Sequence, residues 1–352
     1  MTELTDEEKS TLANKYRPLL ILYPEIQYNS QRKGHYRRGH RAGHPPIDRD
    51  YHPRDIGIVL DNAFLPRMGR IFQRIAQSDI LDAMSNNEVE YIDLVRHARP
   101  SDVGKFWQAY ASITDKDTRY PRTTYARMLG GFRRYAEYIV IQYWLAYFFD
   151  DWANVHEMDW EMASIVIKKT SDLEQPIACA YCVHTGGFRA RWQDVEKAAD
   201  DGQRCESGTH PVVYVANGSH ASYFHDDPIH QATASLVGPR LSRLANTLPW
   251  VRKTFSDYVP SFVEGDKHFP MVKLIPEPDS QGYWHDEWRW LNFRGKWGSK
   301  GRVSWKETMT LPIEEDGPTG PPRKGLCWGD PFSWIENECF DMEKSSWILC
   351  LH

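Results

Sequence analysis

Hydrophobic and polar positions along this chain follow two periods. Short apolar runs rich in β-branched and aromatic residues read as buried strands: Leu19–Leu22, closed by Pro24; Tyr135–Phe149, one central strand or two; Met162–Ile167; Pro176–Val183; and His210–Ala216. Helical spacing marks other stretches. Thr5 followed by Glu8 forms a capping-box pattern ahead of a helix over Asp6–Lys15. Apolar positions 64, 65, 68, 71, 72, 75 and 76 predict a helix within Phe64–Ala83. Further helices are expected at 102–112, Trp192–Ala199 and around Arg243–Lys253, inside a proline-bearing irregular stretch over 238–282. The pattern predicts an α+β, predominantly β chain: a β-sandwich core with helical additions in the N-terminal half. It is read as one β-rich domain, 1–352, with core strands in 16–60 and 130–235. A helical insertion spans 61–128, and an irregular, aromatic-rich segment over 236–352 closes the fold.

The strongest chemical signal lies in His156-Glu157-Met158-Asp159-Trp160-Glu161. On a strand, side chains two apart share a face, so Asp159 and Glu161 point the same way, about 7 Å apart by strand rise, and Trp160 points into packing. His156 is expected just before the strand, in a loop that folds it over the two acids. Mostly oxygen ligands favour Mg²⁺, then Ca²⁺ or Mn²⁺, over zinc. The competing reading is a pair of solvated acids at a strand end. Just upstream, Asp150-Asp151-x-x-Asn154 resembles the aspartate-rich magnesium site of class I terpene cyclases, although those enzymes are helical and no second metal motif of that kind follows. Asp150 and Asp151 join the candidate metal ligands. His184 follows one strand and His220 follows an Asn-Gly-Ser turn; with His156 they are the candidate acid–base residues. Residues 31–55 carry three Gly-His pairs among basic residues, of which Arg37, Arg38 and Arg41 would clamp an anionic substrate. A solvated Gly-rich insertion is the plainer account of that loop.

Composition narrows the classes. A formal net charge of −5 gives no general affinity for nucleic acid. The cysteines are too few and irregular for a disulfide framework, and Cys179 and Cys182 would point to opposite faces of one strand, which argues against a shared metal. The N-terminal stretch is polar and acidic rather than a secretory signal, and no transmembrane segment is expected, so the default compartment is the cytosol.

In order, the chain presents Pro24-Glu25, Tyr51-His52-Pro53, His156-x-x-Asp159-Trp160-Glu161, His184-x-Gly186-Gly187, Pro211-Val212-Val213-Tyr214 and Gly218-Ser219-His220-Ala221-Ser222-Tyr223. Arg294-Gly295-Lys296-Trp297-Gly298 and Gly317-Pro318-Thr319-Gly320-Pro321 close the series. This series resembles the vacuolar protein sorting-associated protein 62 family. Met158 departs from it, standing where the family usually has Gly, a change expected to tighten or displace the loop. The His-x-x-Asp-Trp-Glu run is also similar to the motif of the necrosis-inducing, ethylene-inducing toxin-like proteins. That similarity implies a β-sandwich in which His156, Asp159 and Glu161 hold a divalent cation directly or through water. Two functions follow as expectations. One is a metal-dependent enzyme acting on an anionic small molecule, such as a phosphorylated or isoprenoid-diphosphate metabolite, by hydrolysis or cyclisation. The other is a non-catalytic trafficking module at a vacuolar or endosomal membrane with a structural divalent cation.

Overall fold

The computed structural model describes residues 4–22, 51–65, 73–74, 77–115, 118–151, 154–169, 174–183, 186–216, 218–224, 266–301 and 313–341. In chain order its main elements begin with helix α1 (Asp6–Lys15), strand β1 (Leu19–Leu22) and helices α2 (Gln77–Ser85) and α3 (Val103–Thr114). Strands β2 (Thr123–Gly130), β3 (Tyr138–Asp150), β4 (Asn154–Lys169), β5 (Glu174–Val183) and β6 (Gly186–Arg191) come next. Then follow β7 (Lys197–Ala198), β8 (His210–Val215), β9 (Ser222–Tyr223), β10 (Asp266–His268), β11 (Met271–Leu274), helix α4 (Pro331–Asn337) and β12 (Cys339–Asp341).

Strands β2 to β6 form an antiparallel meander, and β11 and β12 extend it with a parallel strand at either edge. The second sheet has the order β7-β8-β1-β10, with β9 also paired to β8. The fold is thus the expected β-rich α+β arrangement with a sandwich-like core. β3 is buried over its whole length, which explains its mostly apolar sequence, broken only by Gln142 and the terminal Asp150: both of its faces are covered. One face supplies Ile139, Ile141, Tyr143, Leu145 and Tyr147 to the core between the sheets, against β1 and β8. The other supplies Val140, Trp144, Ala146 and Phe148 to a second core under Phe106, Trp107 and Tyr110 of α3. Each large side chain so buried contributes roughly 1.5–3 kcal/mol.

Helix α1 carries the expected reciprocal cap: the Glu8 amide donates to Thr5 Oγ1 at 3.3 Å and the Thr5 amide donates to the Glu8 carboxylate at 2.8 Å. Three elements differ from the sequence reading. Among the described residues the helix expected over Phe64–Ala83 is seen as α2, while Phe64–Leu65 pairs antiparallel with Gln73–Arg74. Pro66 disfavours helical backbone at Leu65, and the Phe64 amide donates instead to the Asp93 carbonyl at 2.7 Å. Trp192–Ala199 is a short 3₁₀ turn, Trp192–Asp194, followed by β7. The C-terminal segment closes the fold and also supplies both edge strands of the main sheet. Arg189 fixes β12 by donating to both Asp341 carboxylate oxygens, at 2.5 and 3.2 Å. Pro24 and Arg243–Lys253 lie outside the described residues.

The cysteine reading agrees with the geometry. Cys179 packs between the sheets, whereas Cys182 lies on the opposite face with its sulfur 3.6 Å from that of Cys327, and the described cysteines are free thiols.

Candidate metal centre

The motif sits inside β4 rather than in a loop before it, so His156 is a strand residue. In a regular strand His156 and Asp159, three apart, would face opposite sides. They share a side because Met158 has φ 55°, a left-handed conformation that reverses the alternation. Glu157 and Met158 both turn to the helix-covered face, where Glu157 accepts hydrogen bonds from the Leu94 amide at 2.8 Å and the Ser299 hydroxyl at 2.8 Å. Opposite them, Phe148 and Phe149 of β3 likewise both enter that core. Past the reversal, Asp159 opposes Tyr147 and Glu161 opposes Leu145, two residues of the core between the sheets. Cross-strand partners point the same way, so both acids face the second sheet. Trp160 points away, stacked on Trp290 at 5.6 Å and edge-on to Trp297 at 5.6 Å, as expected.

The glycines of the C-terminal motifs belong to the same construction. Gly298 has φ 146°, and a Cβ there would lie 2.7 Å from both the Cβ and the carbonyl oxygen of Glu157. Gly317 packs directly against Gly298, where only backbone fits. The distant motifs therefore converge because they form the packing behind β4.

Two imidazole–carboxylate pairs stand on the site face. His156 Nδ1 lies 2.6 Å from the Met158 carbonyl oxygen, so it carries the proton and donates. Its Nε2 faces Asp150 Oδ2 at 3.6 Å. Burial pulls the His156 pKa below its ordinary value, against the neighbouring Asp159 charge and the bond to Met158. The ring is therefore neutral near pH 7, and its Nε2 lone pair points at a carboxylate oxygen, acceptor against acceptor.

The second pair is His220 Nδ1 with Asp159 Oδ2, at 3.3 Å. Burial raises the Asp159 pKa, but the His220 hydrogen bond and the neighbouring imidazoles outweigh it, leaving a net lowering. His220 Nε2 is buried without a hydrogen-bond partner, its ring stacked on Tyr147 at 4.0 Å and edge-on to Tyr51 at 6.2 Å. Burial, then the Glu161 and Asp159 charges, hold the Tyr147 phenol well above its ordinary pKa. His220 has φ 52° and follows Gly218 at φ 82°. The turn is pinned by His220 N to Ala216 O at 3.1 Å and by Asp151 N to Gly218 O at 3.0 Å. That second bond joins the Asp150–Asp151 corner to the His220 turn.

The structure thus pairs His156 with Asp150 and His220 with Asp159 near the β3–β4 junction, with Glu161 on the face of Asp159 and the Asp151 backbone tied to the His220 turn. Asp150 ends one strand and Asn154 begins the next, so the described residues of the pattern lie on strands rather than on a helix. No three ligand atoms of this gathering lie within 4.8 Å of one another. The one group among the described residues that meets that distance is His52, Asp266 and His268, a set outside the sequence reading. Tyr51-His52-Pro53 stood in the motif series, but Asp266 and His268 lie in the stretch over 238–282 read as irregular and carried no signal. His184, Arg37, Arg38 and Arg41 lie outside the described residues.

No protein-family model and no curated protein matches the sequence. Solved structures similar to the chain are toxin-fold proteins of the necrosis- and ethylene-inducing type. Non-toxic HaNLP3 is 13% identical over 64% of this chain and 73% of its own, with a TM-score of 0.28. Necrosis and Ethylene inducing Protein 2 from the causal agent of cocoa's Witches Broom disease is 21% identical over 30% of this chain and 46% of its own, with a TM-score of 0.23. NLPPya in complex with glucosamine is 18% identical over 29% of this chain and 45% of its own, with a TM-score of 0.22. Apart from HaNLP3, these matches span less than half of the solved chain. Among the described residues no helix is long and apolar enough to cross a membrane, which leaves β-barrel insertion untouched.

Proposed function

We propose that the chain is a divalent-cation-dependent enzyme acting on an anionic small molecule at the Asp150–His156–Asp159–Glu161 centre, with His220 beside it. The observation that carries this reading is the meeting of two acceptors, His156 Nε2 and Asp150 Oδ2, at 3.6 Å. Ligands of one cation at bonds of about 2.1 Å lie roughly 3–3.6 Å apart. A cation between these atoms would be bonded by both. Buried carboxylates suit Mg²⁺, which keeps several waters and needs no closed protein cage. Such an ion supplies Lewis acidity toward a phosphoryl or carbonyl oxygen.

The chain's own residues would act around it. Asp159 accepts the Nδ1 proton of His220 and orients the ring, leaving Nε2 as a proton acceptor clamped between two tyrosines. Glu161 and Asp159 add the negative charge that draws the cation in. The basic residues Arg37, Arg38 and Arg41 would neutralise the substrate, and His184 would serve as a second acid or base. A phosphorylated or isoprenoid-diphosphate substrate belongs to this proposal, as does the kinship with the vacuolar protein sorting-associated protein 62 family that the ordered motifs suggest.

The test is metal content of the purified protein together with thermal-shift titrations of Mg²⁺, Ca²⁺, Mn²⁺ and Zn²⁺ on the wild type and on Asp159→Ala. A Mg²⁺ shift that disappears in the variant, with turnover of a phosphorylated substrate panel lost in parallel, supports the reading. The shift without turnover would favour the non-catalytic module, and no Mg²⁺, Ca²⁺ or Mn²⁺ shift at all would sink the cation centre.

A further inference from the structure

Asp266 and His268 are two apart on β10 and therefore share a face; they pair with Leu22 and Leu20 of β1 at the edge of the second sheet. His52 reaches the same point from the stretch before α2. Its Nε2 is 3.4 Å from Asp266 Oδ2, and its ring stands at 82° to that of His268 with centroids 5.1 Å apart. Both nitrogens of His268, and Nδ1 of His52, are buried without hydrogen-bond partners. Burying a neutral imidazole with both nitrogens unmatched costs free energy that a bound ligand would recover.

A cation already marks the spot. Arg122 donates to His52 Nε2 at 3.0 Å and pairs with Asp266 Oδ2 at 2.9 Å. Since guanidinium only donates, His52 Nε2 is an acceptor, and its lone pair and the Asp266 oxygen both aim at the positive charge. Burial first, and Arg122 second, hold His52 near a pKa of about 2 and His268 near about 3. Both rings are thus in the neutral form that ligates metal. The Arg122 and Asp266 side chains are 34% and 41% exposed, so the guanidinium can swing into solvent and one side of the cluster opens to water.

We propose that His52, Asp266 and His268 form a second metal centre, for a transition-metal ion of the Zn²⁺ type, and that loading displaces the Arg122 guanidinium. Two imidazoles and one carboxylate select such ions over Mg²⁺ or Ca²⁺. The open side leaves room for water or a substrate atom, as in catalytic rather than structural zinc sites. The centre adjoins the first one through Tyr51, whose ring packs edge-on to that of His220.

The experiment loads metal-stripped full-length protein with Zn²⁺ and titrates it in parallel with Co²⁺, reading bound equivalents and the visible d–d absorption. The wild type is expected to bind one equivalent that survives Asp159→Asn and weakens at least about tenfold in His268→Gln. Asp266→Asn, at a half-exposed position, provides the same test should His268→Gln fail to fold, as checked by circular dichroism. Arg122→Gln is expected to bind several-fold more tightly, because the competing charge is gone. Binding unaffected in both ligand variants, or lost in Asp159→Asn alone, would overturn the assignment. Unchanged affinity in Arg122→Gln would overturn the displacement. Failure of the Mg²⁺ centre leaves these Zn²⁺ outcomes unaltered, so the two readings fail separately.

Discussion

Glu157 and Asp159 are two residues apart on one strand, yet their side chains lie on opposite faces of the sheet. Glu157 is bound to Leu94 and Ser299 in the helix-covered core, and Asp159 to His220 on the side of the second sheet. The reversal between them is the left-handed backbone of Met158. It lets a three-then-two spacing of His156, Asp159 and Glu161 converge on one centre.

Met158→Gly tests what holds that reversal in place. Glycine would relieve a left-handed strain of about 1–2 kcal/mol. Met158 is only 1% exposed, however, and losing a buried methionine side chain costs about 2–5 kcal/mol. The packing loss exceeds the strain relief. The variant is expected to be about 1–3 kcal/mol less stable in urea unfolding while keeping its cation-induced thermal shift. Higher stability would show that strain dominates.

Asp150→Asn separates the acceptor-against-acceptor contact from a plain hydrogen bond. The new amide can donate to His156 Nε2, which offsets the altered contacts of the carboxylate, so the metal-free protein is expected to change by no more than about 1 kcal/mol. The Mg²⁺-dependent rise in melting temperature is expected to vanish. A larger loss in the metal-free variant would show that the carboxylate holds the fold together without a cation.

The Asp93–Glu157 pair predicts a stability slope with pH. Burial raises both carboxyls, Asp93 to about 7, and their mutual repulsion adds to the rise on Glu157. A folded pKa above the unfolded value means that the fold holds extra protons. The associated stability is therefore fully present below the ordinary carboxylate range, about pH 4, and is lost as pH rises through about 7. The loss is up to about 1.4 kcal/mol per pH unit for each extra proton. Asp93→Asn is expected to flatten the slope in unfolding experiments between pH 5 and 8; an unchanged slope would assign it to other groups.

Gly298→Ala addresses the contact behind the motif. A methyl group at φ 146° and 2.7 Å from the Glu157 carbonyl oxygen must push β4 or the 296–299 stretch aside. A loss of about 1–3 kcal/mol is expected from the backbone strain, with a weaker Mg²⁺ shift because the strand carrying Asp159 is displaced. Wild-type stability in chemical unfolding would refute the close packing.

Much of this architecture was legible in the sequence because it rests on local physics. The Thr5–Glu8 cap, the apolar strands and the packing of Trp160 on the face opposite the acids each depend on a short window. The same holds for the opposed faces of Cys179 and Cys182. The helix expected from Phe64 failed where a proline and a distant carbonyl outweighed the apolar stripe. The sequence also determined that acids and imidazoles cluster at His156–Glu161 and recur at Asp150 and His220. Only the tertiary structure decided their directions. A single left-handed residue reverses strand parity, and the turn ending in His220 is pinned to Asp151 by a bond between residues far apart in the chain. His52, Asp266 and His268 show the limit most plainly. Sheet pairing carries Asp266 and His268 across more than two hundred residues to His52, and no periodicity records that encounter, because it exists in the packing and nowhere along the chain.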